Sequence, residues 1–145
     1  MEAAFMPGIT DLQTLLETLQ PVLDDHDYVF VSRPGKRMAD AMDLPALAAM
    51  EEPEGLTLVV KKEDADTAGI EYESIFRMIT LRVHSSLEAV GLTATIATAL
   101  AEQGISANVI AGFYHDHIFV PSVRAHDAIG VLENVKSLST QLRAD

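Results

Sequence analysis

Apolar positions change their spacing several times along the chain, and each change marks an element. Leu12, Leu15, Leu16 and Leu19 fall at i, i+3, i+4 and i+7, one face of a helix. Thr10 and Gln13 have the capping-box spacing that opens such a helix, and Pro21 closes the pattern. Asp24, Asp25 and His26 read as a polar turn, and residues 28–32, aromatic and β-branched, as a short strand. Residues 36–55 contain Pro45 and predict an irregular connection with a short helical turn at most. The acidic run 51–55 is turn chemistry, 56–62 a strand, and 63–69 a short helix stopped by Gly69.

The second half is more regular. In the strand predicted over 75–83, Ile75, Ile79, Leu81 and Val83 share one face with Arg77 as the exception, and Phe76, Met78, Thr80 and Arg82 share the other, so both faces are at least partly covered. A helix follows from near Gly91 to Gln103, with Leu92, Ile96 and Leu100 four residues apart and Gly104 as its stop. Residues 105–112 and 117–120 predict two strands of a hairpin that turns at 114–116. Pro121 and Ser122 open the last helix, Ser122 as its N-cap, with Ala125, Ala128, Ile129, Leu132, Val135 and Leu138 as its buried stripe.

The order α, β, β, short α, β, α, β, β, α aligns with itself. Gly8-Ile9-Thr10 and Gly91-Leu92-Thr93 each open a helix that leads into a strand, then a second strand and a helix. This predicts an α+β fold of two units, residues 1–70 and 71–145, each an antiparallel sheet covered by helices in a ferredoxin-like arrangement.

Composition narrows the function classes. The 145 residues carry 10 basic and 22 acidic side chains, a net charge of -12. Residues 1–73 hold 16 acids and 5 bases, residues 74–145 6 acids and 5 bases. So acidic a surface repels phosphate backbones and anionic membranes, so neither nucleic acid nor membrane is expected as a partner. Without cysteine there is no disulfide framework, thiolate nucleophile or cysteine metal site. Residues 1–8 have neither a basic residue nor a long apolar run, so a signal peptide is not expected and the cytoplasm is the default location.

No G-x-x-x-x-G-K-[ST] run occurs, and no G-x-G-x-x-G follows a strand, which removes those routes to nucleotides. His115-Asp116-His117 sets two imidazoles on one side of an extended segment, a spacing that can hold a metal if further ligands come from elsewhere, but a hairpin turn with His117 starting the strand is the favoured reading. Ser85 or Ser86 with His115 and Asp116 would make a triad on paper, but no strained elbow presents the serine. The expectation is therefore no metal, no cofactor and no enzyme activity.

The segment from Ser85 to Leu92 is the stronger candidate. It joins a buried strand to a helix start, where unpaired N–H groups, the positive helix end and the hydroxyls of Ser85 and Ser86 converge, an arrangement suited to a carboxylate. Its equal alternative is a tight loop whose hydroxyls cap the helix. Gly91 permits close approach of a ligand or another backbone, and Asn108 supplies an amide able to donate and accept.

The runs His84-Ser85-Ser86-Leu87-Glu88-Ala89-Val90-Gly91-Leu92-Thr93, 99–109 and His115-Asp116-His117-Ile118-Phe119-Val120-Pro121, with 54–60 in the first half, resemble a small bacterial family of stand-alone tandem ACT domain proteins. The likeness spans Gly8 to Leu138. It implies two βαββαβ ferredoxin-like units, a homodimer or larger homo-oligomer, and an amino acid bound where units meet. By position the implied ligand contacts are Ser85, Ser86, Leu87, Glu88, Val90, Gly91 and Leu92 of the loop, and Asn108, Val109 and Ile110 of the strand after the helix. Many ACT loops carry Pro-Gly where this chain has Val90-Gly91. The implied function is a non-catalytic regulatory module. The alternatives are a ligand-free assembly module and, more remotely, a small enzyme or metal protein using His115, Asp116 and His117.

Overall fold

The computed structural model describes residues 11–40, 44–83 and 86–144, with side chains to residue 141. The fold is α+β, and the chain forms two compact units, 25–77 and 1–24 with 78–145. Both boundaries fall inside strands.

In the unit 25–77, β1 (Pro21–Pro34) pairs antiparallel with β3 (Gly55–Lys61), from Tyr28 opposite Lys61 to Pro34 opposite Gly55. On its other side β3 pairs with β2 (Ala48–Glu52), from Ala48 opposite Val59 to Glu52 opposite Gly55. The strand order is thus β2-β3-β1. Alternation sends Val29, Val31, Leu56, Leu58 and Val60 to one face, where they bury with Ala65 of α2 (Lys62–Ala68). Gly69 ends α2 in the left-handed conformation, as its sequence predicts.

Two expectations need correction here. Asp24, Asp25 and His26 are not a turn but lie within the fourteen-residue β1. Side-chain polarity misleads because backbone pairing, not burial, keeps exposed residues extended. The connection 36–55 holds the short helical turn, a 3-10 turn at Met38–Asp40, but also the strand β2, absent from the predicted order.

In the other unit, β4 (Phe76–Leu81), β6 (Asp116–Pro121) and β5 (Asn108–Ala111) follow in the order β4-β6-β5. Helices α1 (Leu12–Glu17), α3 (Leu92–Glu102) and α4 (Ala125–Ala144) pack together. Leu15 of α1, Leu19 just beyond its end, Ile96 and Leu100 of α3 and Leu132 of α4 bury against Ile79, Leu81, Ile118 and Val120. At about 25 cal/mol per Å² of apolar surface, this shared core is what orders a helix as short as α1. Gln13 Nε2 adds a hydrogen bond of 2.7 Å to the Ser139 carbonyl of α4.

Helix ends also differ from expectation. Asp11 caps α1: its carboxylate accepts from Thr14 N at 3.1 Å, while Gln13 points to Ser139 and Glu17. Thr10 lies outside the described residues. Ser122 is not an N-cap but the first residue of a 3-10 turn, Ser122–Arg124, that has Pro121 as its N-cap and runs into α4. Leu138 is half exposed, one step beyond the buried stripe. The strand predicted over 105–112 shortens to β5, with Ile105 buried ahead of it. Among the described residues no helix is long and apolar enough to cross a membrane.

Candidate functional site

β4 and α3 are joined by a segment rooted at Val83, whose side chain is buried in the core. His84 and Ser85 lie outside the described residues. Ser86 builds a tight turn: its carbonyl accepts from Ala89 N at 3.0 Å, and its Oγ accepts from Glu88 N at 3.1 Å. Such hydroxyl-to-backbone bonds shape short loops without secondary structure. Leu87 and Val90 project outward, 67% and 82% exposed, and Glu88 is also exposed.

Gly91 is the N-cap of α3 at φ +101°, a backbone that side-chain-bearing residues seldom adopt. Its carbonyl accepts the first helical bond from Thr95 N, and as a glycine it offers no side-chain oxygen to cap the helix start. The first-turn N–H groups of α3 thus have no intrahelical acceptor. With the positive end of the helix dipole they favour a carboxylate. The space beside Gly91 is taken by Leu12: a Cβ there would stand 3.1 Å from Leu12 Cδ2. Leu92 is buried in the core, and so anchors the helix.

On β5, Asn108 is exposed, Val109 packs against the core, and Ile110 is half-buried. They pair with Phe119, Ile118 and His117 of β6. The loop residues 86–92 are contiguous, and the bond that ties the β5–β6 hairpin to their root comes from His115. Its Nδ1 lies 3.3 Å from the Val83 carbonyl oxygen. One strand step on, His117 Nδ1 and Thr80 Oγ1 of β4 share a hydrogen bond of 2.9 Å. Burial foremost, then the neighbouring His115, holds His117 below the ordinary imidazole pKa, against the opposing pull of Asp116. Alternation at 115 and 117 shows in the sequence, but their partners on β4 do not. Among the described residues no three histidine or acidic side chains are placed to hold a metal.

A separate groove of about 640 Å³ runs along α3 and α4 past Ala99, Arg124 and Asn134, away from the loop.

Two ACT-domain family models match the chain, at residues 7–77 and 73–134. A solved Vibrio cholerae protein of unknown function, described as a possible transport protein, is 51% identical over 86% of this chain and 95% of its own, with a TM-score of 0.78. An Agrobacterium tumefaciens protein superposes with a TM-score of 0.67 at 13% identity, covering 81% of this chain and 89% of its own. The ligand-free regulatory subunit of aspartate kinase from Thermus thermophilus does so with a TM-score of 0.61 at 14% identity, covering 83% and 97%. At those identities the likeness concerns the fold. No protein of curated function matches the chain.

Proposed function

Since the chain belongs to the ACT-domain family and carries two such units in tandem, we propose that it is a non-catalytic regulatory protein that senses an amino acid through the loop 86–92. The single observation that carries this reading is the start of α3. Its N-cap is Gly91, which brings no side-chain acceptor of its own, beside the exposed Leu87 and Val90. A free amino acid brings a carboxylate for the first-turn N–H groups and an ammonium for acceptors such as Glu88 and the Asn108 amide. Ser85 belongs to the same proposed set by sequence position. The shared fold of an aspartate kinase regulatory subunit is in keeping with this role.

A thermal-shift panel of the twenty amino acids tests the reading. At about 100 times its dissociation constant, a ligand adds roughly 2.7 kcal/mol of stability. In a protein of this size that raises the melting temperature by roughly 5–15 °C. No shift at millimolar concentration with any of them would refute it.

A second reading, an assembly module without a ligand, is favoured by β5. This strand is outermost in its unit's order and carries Asn-Val-Ile-Ala, with no charge to discourage pairing with another chain.

A further inference from the structure

We propose that His115 and His117 act together as a clip that fixes β4 and its exit to the β5–β6 hairpin, and that this clip makes ligand binding at the loop 86–91 proton-linked. The inference rests on reading that loop as the ligand site, and it gives a use to a His-Asp-His motif otherwise unassigned.

The clip has two arms. The Val83 carbonyl can only accept, so His115 must carry its proton on Nδ1 to make the 3.3 Å contact, which leaves its Nε2 bare when neutral. Three residues earlier, within β4, Thr80 Oγ1 meets His117 Nδ1 at 2.9 Å. Gly112 closes the hairpin against both histidines. Its N–H donates to the His115 carbonyl at 2.9 Å. A Cβ on Gly112 would stand 2.9 Å from that carbonyl and 3.3 Å from His117 Nε2. β4 is therefore gripped at residue 80 and its exit at residue 83, just ahead of the turn that Ser86 begins.

Protonation changes the donor count of this cluster. A neutral imidazole donates once and accepts once, whereas the cation donates twice and accepts nowhere. The second nitrogen of His117 faces the tight Gly112 backbone in a half-buried setting, where a charge is costly. The titratable groups beside it on its own hairpin are His115, which repels a second positive charge, and Asp116, which attracts it. β4 faces it with the Thr80 hydroxyl and carries Arg77 and Arg82 near its ends; β5 sets the apolar Ile110 opposite. The ring stays neutral at neutral pH. Its folded-state pKa lies below the unfolded value, so acid is bound more readily when the clip is open, and the clip loosens as pH falls below the ordinary value of 6.5.

Amide hydrogen exchange on the full chain without ligand tests the clip. Rates for residues 86–91 and 112–117, corrected for intrinsic chemistry, are compared at about pH 7.5 and about pH 5. The parent protein is expected to lose protection in both segments on acidification, approaching at most about tenfold for each pH unit below the ordinary imidazole value and levelling off once pH passes the ring's lowered one. His117→Asn keeps a polar atom at the Nδ1 position without titrating, and should hold both segments at one level across this range. Thr80→Val, close in shape, should raise exchange in both segments already at the higher pH. The same acid-induced loss in His117→Asn as in the parent, or unchanged exchange at 86–91 in Thr80→Val, would overturn the clip. Melting shifts with the twenty amino acids at both pH values then test the linkage. A shift larger at the higher pH in the parent and level in His117→Asn supports it, and a shift equally large at both in the parent overturns it. If no amino acid shifts the melt at either pH, the ligand site and the linkage both fall, while the exchange data still decide the clip.

Discussion

Leu12 Cδ2 stands 3.1 Å from where a Cβ on Gly91 would sit, so the first helix fills the very space that the glycine leaves open. The absent side chain serves the packing of α1 against the start of α3. Gly91→Ala would combine this contact with the strain of φ +101°. We expect a loss of about 1–3 kcal/mol, read as an earlier urea or thermal midpoint. A midpoint equal to the parent's would show that the backbone relaxes there at no cost. A bulkier residue, such as valine, cannot then serve as a clean block of ligand binding, because it disturbs the fold first.

Asp11 accepts from both Thr14 N and Thr14 Oγ1 at the start of α1. Asp11→Ala is expected to lower stability by about 1 kcal/mol, and Asp11→Asn by much less, since an amide oxygen caps nearly as well. Chemical denaturation of the three proteins side by side checks the ranking.

Asp66 receives hydrogen bonds from Lys62 Nζ at 2.7 Å and Tyr72 OH at 2.6 Å, and these, Lys62 first, hold its carboxyl below the ordinary value of 3.8. Folding therefore favours the ionised form, and its contribution is present above that value and lost as pH falls through the lowered one. Melting temperatures of the parent and Asp66→Asn should differ slightly at neutral pH, as befits an exposed pair, and converge in acid. A difference that widens in acid would contradict the assignment.

The uncharged β5 predicts assembly. Light scattering at micromolar concentration should give at least twice the 15.7 kDa of one chain. Asn108→Lys, placing a charge on the outermost strand, should shift the population toward monomer if pairing runs through β5. A parent mass near that of one chain would rule out stable assembly.

Elements whose own side chains carry the period were legible in the sequence. β3 carries a run of aliphatic and β-branched residues, α2 ends at Gly69, and α3 runs from Gly91 toward Gly104. β2 was not legible. Ala48 to Glu52 contains no β-branched or aromatic residue and is mostly exposed, so its strand character comes from pairing with β3. β1 hides its first half for a related reason: Asp25, His26 and Asp27 are exposed in the middle of a strand. At the candidate site, the glycine and the helix start could be read in advance. The grip of His115 on Val83 could not, because it joins residues 32 positions apart.

The hydrogen bond from Gln13 to Ser139 spans 126 residues. α1 leaves the ribosome long before α3 and α4, against which Leu15, Leu16 and Leu19 bury. During synthesis these leucines therefore wait without their native cover while the whole unit 25–77 and most of the later one emerge. Long-range closure of this kind slows folding and leaves an adhesive surface exposed in the interval. For the nascent chain, the segment around α1 is where a chaperone that recognises short leucine-rich stretches would have its longest opportunity to bind.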